Sequence, residues 1–200
     1  LQSRRKGIPP FLVPFLSVLF CTMHCALALD SKSTVETLVK LLSQWSSKGS
    51  NQNILSEAAQ YIDYKSMAEA SLGPQNWSKL SEGQRDEFVK SFRTLVEQRY
   101  YPRWHNIFSK SHITYGKASA QNGVNRIKTQ MSLKDSVQEV DWDLKGQDSD
   151  ARVVNLTVGE KDLVVRAGRR FQKRFAKAGF PAFIAWIKTQ AANSASSSED

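Results

Sequence analysis

The sequence predicts an α+β domain: helices first, then a twisted antiparallel meander of about four strands, then helices again, packed on one face of the sheet. Three observations point there. Apolar residues recur at spacings of three and four from Val35 to Phe108. Between Ile127 and Val158 the period drops to two. After Asp162 the helical spacing returns. Spacings of three and four place side chains on one stripe of a helix, whereas alternation places them on one face of a strand.

The elements follow in order. Ser33-Thr34-Val35-Glu36 reads as a capping box, opening a first helix over Val35, Leu38, Val39, Leu42 and Trp45 that ends near Ser47. Two short helices are expected at Ile54–Tyr61 and Tyr64–Leu72, the second stopped by Gly73 and Pro74. Ser81-Glu82-Gly83-Gln84 is a second capping box. It opens the longest helix, with Phe88, Phe92, Leu95, Val96 and Tyr100 on one face. Pro102 has no amide to donate, so the helix kinks or restarts there. Ser111–Ala120 is expected to be a strand, with Gly116 as a possible bulge. Ile127 to Leu133, Val140 to Leu144 and Val154 to Val158 alternate as half-buried strands, with turns at Gly123 and in Gly146–Asp150. Helices over Asp162–Lys177 and Pro181–Gln190, split by Gly179, close the domain.

The ends differ from the middle. Arg4, Arg5 and Lys6 precede the apolar run Phe11–Phe20, and Ala26 and Ala28 supply small residues at the minus-three and minus-one positions of a cleavage site. Residues 1–28 therefore read as a secretory signal peptide. Pro9, Pro10 and Pro14 argue against a spanning helix, and the run is short of the roughly 20 residues a span needs. Cys21 and Cys25 both lie inside this segment, which leaves a mature chain without thiol chemistry. Phe20, beside Cys21, is too bulky for a lipoprotein anchor site. The domain proper is expected over 29–190, and the small, Ser-rich stretch 191–200 is expected to be a disordered tail.

The net charge is +9, and about +6 remains once the three cations of the signal are removed. Such a balance suits an anionic partner such as lipid headgroups, acidic envelope proteins or polysaccharide. Export argues against nucleic acid. A plain solvated surface of lysines and arginines explains the charge equally well.

No catalytic motif is present. His105 and His112 stand seven apart with no carboxylate or cysteine at ligand spacing, so a metal site is not expected. There is no Gly-x-Ser-x-Gly, Walker loop or dinucleotide fingerprint. Asp141 and Asp143 flank Trp142 and share a face, which reads as the wet side of a strand rather than a carboxylate pair in a cleft. Asn76-Trp77-Ser78 and Asn155-Leu156-Thr157 match the short glycan-acceptor pattern. These features point away from an enzyme.

The stretch from Tyr61 to Trp104 carries a more specific pattern: Asp63-Tyr64, Leu72-Gly73, Trp77, Ser81, Gln84-Arg85, Phe88, Phe92 and Tyr100. In order and spacing it resembles the MlaC, or toluene-tolerance auxiliary, family. The second half is similar too, through Val140–Leu144, Val153–Val158, the turn Gly159–Leu163 and Phe171. There the usual Glu-Gly order is reversed, Asp162 stands for a serine, and Asn155 sits where an aspartate is common. The likeness spans about Val35 to Lys188. It implies a fold like that of nuclear transport factor two with additional helices. It also implies a monomeric periplasmic shuttle carrying phospholipid as cargo, with no cofactor. The implied partners are an outer-membrane lipoprotein complex and an inner-membrane ABC transporter complex. Outer-membrane lipid asymmetry is the implied purpose.

Physical chemistry agrees with a carrier. Each exposed methylene costs about 0.8 kcal/mol in water, so lipid tails must be enclosed by apolar walls with a wet mouth. The inward positions are Phe88, Phe92, Leu95, Val96, Ile127, Met131, Leu133, Trp142, Leu156 and Val158, which are the expected lipid-binding residues. Periodicity alone does not separate cavity wall from solid core. Trp77, placed by the Gly73-Pro74 break, either plugs the core or covers one edge of the cavity, and the usual burial of aromatics favours the core. Two further readings stand beside the phospholipid carrier: a carrier of another apolar lipid such as a hopanoid, and an envelope adaptor with a filled core and a basic surface.

Overall fold

A computed structural model describes residues 23–46, 49–146 and 150–196. Most of the expected signal segment and the last four residues lie outside that range. Helix α1 spans Met23–Ser43, α2 Gln52–Ala58, α3 Tyr64–Leu72, α4 Pro74–Trp77, α5 Glu82–Arg99 and α6 Tyr101–Phe108. Strands β1 His112–Gln121, β2 Val124–Leu133, β3 Ser136–Lys145, β4 Arg152–Val158 and β5 Lys161–Asp162 follow, and α7 closes the domain over Leu163–Ser196. Both the fold class and the order of elements are those expected from the sequence. The sheet has five strands, the fifth only two residues long and without room for an alternating pattern.

All five strands pair antiparallel with their chain neighbours. Asn122 and Gly123, both at positive φ, make the tight β1–β2 turn, the combination that matches the twist of the strands it joins. The β1–β2 register slips between Tyr115 and Ala118, around Gly116, so the expected bulge is present. A side chain at Gly116 would lie 3.0 Å from the Lys128 carbonyl oxygen.

Helix α5 begins where the second capping box places it. Ser81 accepts from the Gln84 amide and the Gln84 side chain accepts from the Ser81 amide. Pro102 falls in the first turn of α6, where its missing amide costs nothing, so the chain restarts a helix there. The first capping box is not used. Helix α1 already runs through Ser33, and Lys32 and Glu36 pair across one of its turns at 3.5 Å. A cap acts only where helix amides lack partners, and inside a continuing helix they have them.

Helix α7 bends at Gly179 (φ 70°, ψ 177°), as the spacing predicts, with Pro181 opening its second half. It then runs past Gln190 to Ser196, which corrects the expected disordered tail for residues 191–196. The alanines there favour helix, and Ala191 is buried against the core.

One face of the sheet is apolar. Ile127, Trp142 and Leu156 stand opposite one another across β2, β3 and β4, and all three are buried. Helix α1 packs over the β1–β2 end of this face, while α3 and α7 pack against β4. The Phe108 and Trp142 rings lie 5.9 Å apart, which brings α6 onto the sheet centre. Among the described residues, no helix is long and apolar enough to cross a membrane.

Candidate ligand-binding groove

The site is built where α5, α6 and α7 meet the β4 edge of the apolar face. Along α5, Phe92, Leu95 and Val96 fall on one stripe and turn inward, because spacings of three and four share a helix face. Along α7, Val164, Ala167 and Phe171 do the same from the other side. Leu156 of β4 forms the floor. Between them lies a narrow apolar slot of about 40 Å³, closed off by Met67, Tyr100, Trp104 and Leu163.

The slot opens outward. Leu95, Tyr100, Trp104, Leu163, Ala167 and Phe171 line both it and a groove of about 490 Å³ on the surface. The groove adds Val158, Ile107 and Trp186 to its apolar floor. Its rim is basic: Arg99, Arg103, Lys161, Arg166 and Arg170 all line it, and no carboxylate does. One water needs about 10–15 Å³ of such space, and drug-sized ligands occupy sites of roughly 300–1,000 Å³. The groove therefore accommodates a ligand as it stands. The slot in this conformation accepts no more than a few water-sized groups.

A polar cluster joins α3, α5 and α6 beside the slot. The Tyr64 and Tyr101 hydroxyls hydrogen-bond at 2.5 Å. Arg93 donates from Nε to Glu97 at 2.6 Å and lies over the Tyr64 ring at 5.4 Å. Burial raises both phenols well above their ordinary range, and the bond to Glu97 raises Arg93 further still. All three stay in their usual protonation states, and the cluster has no proton to give at neutral pH.

The expected wall residues divide into two groups. Phe92, Leu95, Val96 and Leu156 line the slot, and Val158 lines the groove. Phe88, Ile127, Met131, Leu133 and Trp142 line neither. Phe88 sits at the centre of an aromatic cluster with Trp77, Phe92, Phe171 and Phe183. Trp142 donates its indole N–H to the Thr129 hydroxyl at 3.1 Å beneath Phe108. Ile127 and Met131 are buried on the half of the sheet that α1 covers, and Leu133 is half-buried at the end of β2. The apolar face is longer than the cavity, and only its β4 end is left partly uncovered. Trp77 is buried too, tilted against Phe88 at 6.4 Å with Arg85 over its other side at 5.6 Å, so it plugs the core.

Sequence reasoning missed the contribution of α7. Val164, Ala167 and Phe171 recur at helical spacing and could have been read from it. It also missed the rim, where Arg99 and Arg103, and then Arg166 and Arg170, stand four residues apart on either side of the groove.

The opposite face of the sheet is polar but not uniformly wet. Arg126 grips Asp143 with Nε at 2.6 Å and a terminal nitrogen at 2.9 Å, and Asp143 is only 6 % exposed. Asn155 donates to Asp162 at 2.8 Å and to Asp143 at 3.4 Å. The wet-strand reading of Asp143 is thus corrected: a two-pronged ion pair allows the carboxylate to be covered. Among the described residues, no group of three or more His, Cys, Asp or Glu side chains could hold a metal ion.

The fold has a counterpart among solved structures. A structure from Ralstonia solanacearum, a phospholipid-binding protein in complex with a phospholipid, superposes with a TM-score of 0.69 at 15% identity, covering 83% of this chain and 99% of that one. At that identity it establishes the shared fold. No curated protein matches the sequence. The family model for the MlaC protein matches residues 32–189. With the match spanning nearly all of the described domain, the chain belongs to the MlaC family.

Proposed function

We propose that this protein is a phospholipid carrier of the periplasm. It would take lipid from one membrane and hand it to the other, between an outer-membrane lipoprotein complex and an inner-membrane ABC transporter complex. The observation that carries the reading is the apolar slot of about 40 Å³ continuous with a wet groove of about 490 Å³. Family membership and the phospholipid held by the Ralstonia solanacearum protein of the same fold support it.

The physics of such a carrier follows from the walls. Hydrocarbon leaves a bilayer without a large penalty only if it enters another apolar space, at about 0.8 kcal/mol per methylene. The slot in this conformation is too narrow for an acyl chain. Loading therefore requires α7 to move away from α5 along the line of Leu95, Val96, Val164, Ala167 and Phe171. The contacts that separate are apolar side chains, and a lipid tail replaces them with contacts of the same kind. Opening and filling thus offset one another, and the empty protein stays closed.

Native mass spectrometry of protein purified from its host tests the reading. A co-purifying phospholipid, or uptake of phospholipid from liposomes by stripped protein, is the expected result. A bare mass together with no uptake would sink it and favour an envelope adaptor. A bound hopanoid would replace the cargo while keeping the carrier.

A further inference from the structure

The basic rim of the groove has a use that apolar enclosure does not explain. Arg99 and Arg103 stand on the α5–α6 side, and Lys161, Arg166 and Arg170 on the β5–α7 side. No acidic side chain lines the space between them. Among the described residues, Arg103, Lys161, Arg166 and Arg170 take part in no ion pair. Elsewhere cations of this chain do find carboxylates: Arg93 with Glu97, Arg126 with Asp143, Lys188 with Glu87. Like charges one helical turn apart, as at Arg166 and Arg170, repel one another, and that repulsion is relieved by a shared anion. Guanidinium groups match the geometry of phosphate oxygens, and two of them on facing helices can hold one phosphate from both sides.

We infer that the rim binds the phosphate of the lipid headgroup, and that the protein selects lipids with net negative headgroups over zwitterionic ones. This rests on the carrier reading and specifies its cargo. The floor of the groove is apolar beneath the rim, through Leu163, Ala167 and Phe171. A lipid whose tails enter the slot therefore leaves its phosphate at the height of the arginines. A zwitterionic headgroup brings its own cation into a ring that has no carboxylate to receive it. An anionic headgroup brings none.

The test uses lipid-stripped full chain and vesicles of phosphatidylethanolamine with phosphatidylglycerol in equal parts, with the lipid taken up identified by mass spectrometry. The expected result at low salt is a preference for phosphatidylglycerol of about five-fold, the effect of one or two partly screened charge contacts, shrinking as salt is raised. The triple variant Arg103→Gln, Arg166→Gln, Arg170→Gln should take up both lipids alike. All three residues are exposed, so its circular dichroism and thermal midpoint should match the parent. Equal uptake of both lipids by the parent would overturn the inference while leaving the carrier intact, as would an undiminished preference in the triple variant. Uptake of neither lipid would remove the carrier reading itself. Inorganic phosphate at millimolar concentration and matched ionic strength should leave the preference unchanged, because without tails nothing holds the anion at the rim. Loss of the preference under phosphate would show a site for free anions and overturn the assignment to lipid.

Discussion

Ala167 stands at the junction of slot and groove, half-buried on α7, and lines both. Ala167→Trp is therefore the substitution that separates a working passage from an incidental crevice. The indole has the groove to spill into, about 490 Å³ of it, so the fold bears little strain. A tail, by contrast, must pass that point to reach Val96 and Leu156. If the indole denies the lipid only four methylenes, the loss is about 3 kcal/mol, or roughly 200-fold in loading. The assay is uptake of labelled phospholipid from liposomes, with the thermal midpoint followed by circular dichroism on the same samples. Ala176→Trp, on an exposed part of α7 away from the groove, is the control and should load like the parent. Near-parental loading by a folded Ala167→Trp protein would refute the passage, and with it the reason for placing hydrocarbon between α5 and α7. Val96→Trp is the less clean experiment. Val96 is only 4 % exposed and faces a slot of about 40 Å³, so an indole there overpacks the core at about 1–3 kcal/mol and confounds loading with stability.

Three further outcomes follow from the packing. Phe88→Ala removes the fully buried ring that four other aromatic rings surround, and should cost about 3–5 kcal/mol in urea denaturation. Gly168→Ala places a methyl 2.6 Å from the Ser71 carbonyl oxygen, where α7 rests on α3, so α7 must lift and stability should fall by about 1–3 kcal/mol in the same assay. The phenols of Tyr64 and Tyr101 are raised far above the ordinary 10.0, chiefly by burial, and Tyr115 is pushed up to about 12 for the same reason. Above pH 10 the unfolded chain sheds these protons while the folded chain keeps them. Their contribution is then complete below pH 10 and lost as pH rises beyond it, so the denaturation midpoint should fall on the alkaline side, and less steeply in Tyr101→Phe.

Local patterns determined much of this molecule. The Ser81 capping box, the Pro102 restart, the Gly116 bulge, the turn at Gly123 and the Gly179 bend are each set by a few neighbouring residues. All of them stand where the sequence places them, because caps, turns and kinks are satisfied within one or two turns of chain. Alternation also identified which face of β2, β3 and β4 is apolar. The exception at Ser33 is instructive: the same four-residue cap is idle when a helix already runs through it.

Which inward side chains line a space was decided only when the elements packed. Phe88 and Phe92 share a stripe of α5, yet only Phe92 lines the slot, because α7 and α4 close around Phe88 and leave a gap beside Phe92. Ile127 and Leu156 share a face of the sheet, yet α1 covers the β1–β2 half of that face while the β4 edge borders the slot. The arginine rim lay equally out of view, since Arg99 and Arg103 meet Arg166 and Arg170 across more than sixty residues of chain. Periodicity records which way a side chain points, and that is a property of its own helix or strand. A cavity is a failure of two surfaces to meet, and it exists only once both surfaces have been brought together.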